Sequence, residues 1–111
     1  MTDLNYTDKD LNSVDYLDSV RNNTARLAAL GIDVEFSEVT VGCVSDCEDS
    51  YTAYKEDAQA QLYEGLLQIC VDLYPTCKVF QMWGAVDGWT KAYDGLNVYP
   101  IGSDYTGKKA W

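Results

Sequence analysis

The order of the elements constrains this chain more than any single residue. Residues 32–41 carry Ile32, Val34, Val39, Thr40 and Val41 and read as a strand. Residues 79–83 read as a second strand. Between them, residues 53–74 set Leu62, Leu66, Ile69, Cys70 and Leu73 along one side of a helix that Pro75 stops. Strand, helix and strand in this order form a right-handed crossover in a parallel sheet. Parallel sheets need cover on both faces, and two strands do not make a stable sheet by themselves. The order therefore predicts an incomplete α/β unit, built to pack against neighbours beyond these 111 residues.

The flanking segments fit that unit. Residues 1–11 are a polar lead-in. Across residues 13–30, Val14, Leu17, Val20, Leu27 and Leu30 recur at helical spacing, with Asn12 or Ser13 as the cap and Gly31 placed to end the helix. Residues 42–50 form a loop pinched by Cys43 and Cys47. Residues 84–107 hold five glycines, three tyrosines and Trp89 and read as a long loop. Residues 108–111 are the candidate start of a further helix.

Charge narrows the partners. The net charge of −10 repels a phosphate backbone and an anionic membrane surface, so neither nucleic acid nor membrane is expected. No apolar run nears the roughly 20 residues of a membrane span. Residues 1–10 are polar and acidic, so a secretory signal would lie upstream of this chain. Neutral ligands such as sugars are compatible with the charge. The four cysteines, Cys43, Cys47, Cys70 and Cys77, could bind zinc, but their spacing lacks the short paired knuckles of common zinc sites. Two local disulfides fit better and imply an oxidising compartment. Asn5 and Asn22 each begin a glycosylation pattern, which is short enough to arise by chance.

Glu38 is the first residue with chemical promise. Strand side chains alternate faces, so Ile32, Val34, Phe36 and Glu38 are expected to share one face. A carboxylate that ends an apolar stripe at the C-terminal end of a parallel strand sits where α/β barrels keep their active sites. A solvated glutamate at a frayed strand end would give the same pattern. Trp83 closes the second strand and Trp89 follows in the loop. Their flat faces suit stacking on sugar rings, though tryptophans also serve as ordinary core. Asp87, between them, could accept hydrogen bonds from hydroxyls or cap a turn. The chain has no histidine, so it holds no Ser–His or Cys–His pair.

These residues resemble glycoside hydrolase family 10, the endo-1,4-β-xylanases. The run Leu30-Gly31-Ile32-Asp33-Val34-Glu35-Phe36-Ser37-Glu38-Val39 resembles the family's seventh-strand segment, and Glu38 falls on its nucleophile. Ser37 stands for the usual threonine and Thr40 for the usual aspartate. Gln59, Ala60, Tyr63 and Cys70 match the following helix, and Cys70 with Cys77 resembles a disulfide of many members. A Cys43–Cys47 bridge is not a general family feature and is expected separately. The run from Val79 through Trp83-Gly84 and Asp87 to Trp89 resembles the eighth strand and its loop, which places Trp83 and Trp89 on the glycone side of the cleft. The second tryptophan comes two residues earlier than is usual. Residues 104–111 resemble the family's final signature, with Lys109 in place of proline.

The resemblance implies strands 7 and 8 of a (β/α)8 barrel with flanking helices, and residues 1–111 as the C-terminal third of a catalytic domain. It implies a secreted, extracellular, retaining xylanase acting on xylan or xylo-oligosaccharides with no cofactor and no metal. The family's acid/base glutamate lies on the fourth strand, and no such segment occurs here. The remainder of the barrel is thus needed for a complete site, and the chain alone is expected to be inactive. Two other readings compete. One is a non-catalytic carbohydrate-binding module using Trp83 and Trp89. The other is an acidic, disulfide-stapled structural protein.

Overall fold

The computed structural model describes residues 2–3, 14–42, 53–89 and 99–110. The glycosylation pattern at Asn5 and the Cys43–Cys47 pair lie outside the described residues. The elements are β1 (Thr2–Asp3), α1 (Val14–Ala29), β2 (Val34–Val39), β3 (Val41–Gly42), α2 (Ala53–Asp72) and β4 (Cys77–Met82).

The expected crossover is present. β2 and β4 pair in parallel, with α2 as the connection between them, and β1 pairs in parallel with β3. The strand expected across residues 32–41 is divided: β2 stops at Val39, and Val41 opens β3 against a different partner. Each sheet has only two strands among the described residues.

α1 ends as its sequence dictates. Gly31 takes a left-handed φ of 75°. Its N–H donates to the Ala28 carbonyl at 2.9 Å, and the Ile32 N–H reaches back to the Leu27 carbonyl at 3.2 Å. These two bonds form the Schellman arrangement that satisfies the last carbonyls of a helix. Only the first half of the α1 stripe is core. Tyr16, Leu17 and Val20 pack inward, whereas Leu27, Leu30 and Ile32 are exposed, contrary to their expected burial. Helical spacing selects a face, but a face is buried only where something covers it.

α2 supplies the centre of the core. Ala58, Leu62, Tyr63 and Leu66 cluster with Val41, and α1, Val39, Phe80 and Met82 close around them. Full burial stabilises a leucine side chain by about 1.5–3 kcal/mol, so Leu62 and Leu66 are major anchors. The two helices approach closely at Gly65, where an added Cβ would come within 2.5 Å of Leu17 Cδ1. Past α2 the chain turns through a cis Tyr74–Pro75 bond. Cys70 and Cys77 then form a disulfide that ties the last turns of α2 to the start of β4. Their pairing removes both as zinc ligands.

Within residues 84–107, the described parts, 84–89 and 99–107, are more structured than their glycines suggest. Val86 bridges Ile101 in parallel, and Ile101 bridges Gly107 antiparallel. Lys109 and Ala110 lie in a turn and Lys108 is irregular, so residues 108–110 do not begin a helix. No helix among the described residues is long and apolar enough to cross a membrane.

Candidate active site

Glu38 owes its position to a fault in the β ladder. Phe36 pairs with Phe80 and Val39 with Met82, so three steps along β2 match two along β4. The extra residue breaks strict alternation. Phe80, Met82 and Val39 all pack on the helical core, and the Phe36 and Phe80 rings lie 6.0 Å apart. Val39, not Glu38, therefore follows Phe36 on the helix side. The stripe Ile32, Val34, Phe36, Glu38 expected from period two is overturned: Ile32 is exposed, and Glu38 leaves the face that Phe36 occupies. Ser37 and Glu38 are both exposed.

The slip does not remove Glu38 from the C-terminal end of the parallel pair. There it stands beside Trp83, whose N–H donates to the Val39 carbonyl at 3.3 Å. Glu38 precedes Val39 and Trp83 follows Met82, so the two lie next to one another at the strand ends, and both are open to solvent. Trp83 is 52% exposed and Trp89 is 65% exposed. Neither tryptophan is core. Glu38 also borders a cleft of about 270 Å³ between β2 and α1, walled by Tyr16, Val20, Phe36 and Leu66.

Asp87 has a structural role instead of facing a ligand. It is buried, its Oδ1 accepts the Tyr99 N–H at 2.9 Å, and its Oδ2 lies 2.5 Å from Lys108 Nζ. Lys108 also donates to the Tyr99 carbonyl at 2.8 Å. Burial lowers the Lys108 pKa from its usual value, and the adjacent Asp87 carboxylate opposes that shift. Removing one partner of such a buried pair costs about 3–5 kcal/mol, because the other charge is left without compensation. The pair fixes the loop that carries Trp89. Gly84 contributes as well: a Cβ there would meet the ring of the fully buried Tyr99 at 2.7 Å.

Two polar residues behind the strand end complete the geometry. Gln59 Nε2 donates to the Val41 carbonyl at 2.7 Å, and the Val41 N–H donates to the Tyr63 hydroxyl at 3.3 Å. Burial pushes the Tyr63 phenol up to about 12. Both residues were expected on this helix, with no role attached to either. The available signal was helical spacing: Gln59 lies three and seven residues before Leu62 and Leu66, so a polar side chain shares the core face. Lys108, as the partner of Asp87, carried no local signal because it lies 21 positions further along the chain.

A family model for Glycosyl hydrolase family 10 matches residues 8–111. The chain belongs to that family. Among solved structures, xylanase 10B from Thermotoga petrophila RKU-1, in complex with xylobiose, is similar at 26% identity and a TM-score of 0.71. The native xylanase 10B from Thermotoga maritima is similar at 26% identity and a TM-score of 0.70. In both cases the match covers 85% of this chain and 29% of the relative. An endo-1,4-beta-xylanase from Penicillium canescens shares the fold at 20% identity and a TM-score of 0.74, again over 85% of this chain and 29% of its own. The family 10 chain is thus part of a (β/α)8 barrel and spans about three tenths of the length of these xylanases. The incomplete α/β unit read from the order of elements and the partial barrel implied by the resemblance are both correct.

Proposed function

We propose that this segment carries the nucleophile half of a retaining endo-1,4-β-xylanase site. Glu38 is the attacking carboxylate, and Trp83 and Trp89 are stacking platforms for xylose units. In this reading residues 1–111 are the C-terminal part of the catalytic domain, with β2 and β4 as strands 7 and 8. One observation carries it: an exposed carboxylate beside an exposed tryptophan at the C-terminal end of a parallel pair. That is the end at which (β/α)8 barrels place their chemistry.

The mechanism follows from the chemistry of two carboxylates about 5 Å apart. Glu38 attacks the anomeric carbon while a second carboxylic acid, contributed by the remainder of the barrel, protonates the departing glycosidic oxygen. Water then releases the sugar from Glu38, with the second group now acting as base. Xylo-oligosaccharides are the first ligands to test, because the Thermotoga petrophila relative was solved with xylobiose. An extracellular location accords with the Cys70–Cys77 disulfide.

The test uses a complete barrel in which this segment is joined to the missing strands. A 2-deoxy-2-fluoro xylobioside with a good leaving group should label Glu38 covalently, and peptide mass spectrometry locates the label. Glu38→Ala should abolish both labelling and turnover. Labelling of another residue would sink the assignment. The exposure of Trp83 and Trp89 also favours a second reading, a sugar-binding surface without catalysis. It requires xylan binding by the 111-residue chain that Glu38→Ala leaves unchanged.

A further inference from the structure

We infer that Gln59 and Tyr63 are positioning residues for Glu38, acting through the backbone of Val41. The inference rests on the reading of Glu38 as nucleophile. The ladder slip leaves Ser37 and Glu38 in a stretch where β2 has one more residue than β4, so pairing with β4 does not by itself fix their place. That stretch is held instead from its two ends. On the N-terminal side Phe36 is in register with Phe80. On the C-terminal side the last contacts with β4 are the Val39–Met82 pairing and the bond from Trp83 to Val39.

Just past that point the chain changes sheets, and Val41 pairs with Thr2 of β1. Val41 is wholly buried, and α2 holds both of its backbone polar groups. Its carbonyl accepts from Gln59 and its N–H donates to Tyr63. Gln59 is also wholly buried and Tyr63 nearly so. Four residues apart, they project from the same side of α2. A buried amide spending its donor on one backbone carbonyl three residues from Glu38 is a rigid link from the helix core to the reactive strand end. Burial also raises the Tyr63 pKa, which keeps its hydroxyl protonated at ordinary pH.

The experiment compares Gln59→Met and Tyr63→Phe in the complete barrel. Both substitutions keep the buried volume and remove a bond to Val41. Ile69→Val serves as control: Ile69 is buried on α2 but has no part in the cluster around Val41. The readouts are Tm, KM for a xylo-oligosaccharide, and the rate of covalent inactivation by the 2-fluoro xylobioside, which reports attack by the nucleophile alone. Misplacing a reacting group by about 1 Å can cost a hundredfold, so inactivation should slow by about tenfold to a hundredfold in each variant. KM should stay within about twofold, because substrate binding elsewhere in the cleft is unaffected. Ile69→Val should lower Tm and leave the inactivation rate alone. Wild-type inactivation rates in both variants, or a loss no greater than the control's at equal Tm, would overturn the inference. Failure of the wild-type protein to label at Glu38 overturns the nucleophile reading instead, and this one with it.

Discussion

Tyr63 shows how one buried side chain couples packing, backbone satisfaction and pH. Its phenol is pushed from the ordinary value of 10.0 up to about 12, chiefly because burial disfavours the phenolate. A raised folded pKa means the folded state holds its proton more tightly than the unfolded state does. The corresponding stability is complete below pH 10 and is lost as pH rises toward about 12. A shift of this size corresponds to roughly 3 kcal/mol. In the complete barrel, Tyr63→Phe should therefore lower stability at neutral pH but flatten its decline between pH 10 and 12. Denaturant titrations at several alkaline pH values measure the difference. An identical alkaline slope in both proteins would refute the assignment.

Among the elements, α2 does the most to order its surroundings. Its apolar face fills the core, its buried polar pair holds Val41, and its first turn reaches the C-terminal segment. There the Glu56 carboxylate accepts the Lys109 N–H at 2.8 Å. Its last turns are fastened to β4 by the Cys70–Cys77 disulfide. The loop closed by that bond is short, so the stabilisation from restricting the unfolded chain is about 2–3 kcal/mol. In the complete barrel the double variant Cys70→Ala, Cys77→Ala should lose that amount, measured as the unfolding free energy from a denaturant titration. The surface pair Arg21–Asp72 joins α1 to α2, and Lys78–Asp33 joins β4 to the residue before β2, but solvent screens both and they contribute little. Removing either pair should therefore leave stability nearly unchanged.

At the scale of the whole molecule, the described residues bear the marks of a piece within a larger barrel. Both sheets are two-stranded, and Leu27, Leu30, Ile32, Leu67 and Val71 are exposed aliphatic side chains. Unpaired strand edges of this kind invite pairing with other chains. The purified 111-residue chain should unfold over a broad range and, on the proposal that the rest of the barrel supplies the second carboxylate, hydrolyse no xylan. Calorimetry and a reducing-sugar assay check both expectations. A sharp transition from a monomer would contradict the first. Activity abolished by Glu38→Ala would contradict the second.

The sequence by itself determined the α/β class, the crossover between β2 and β4, the end of α1 at Gly31 and the apolar face of α2. Each is a local matter of period, propensity or turn chemistry, and the residues that decide it lie within a few positions of one another. Only the tertiary structure decided where Glu38 points. Period two sends it to the side of Phe36, and a slip against β4 sends it away. It also decided that Asp87 is the partner of Lys108, and that Gln59 and Tyr63 hold Val41. Those facts depend on register and on contacts between residues far apart in the chain. No local pattern encodes them, because an extra residue in a ladder and a buried ion pair exist only once two segments have met.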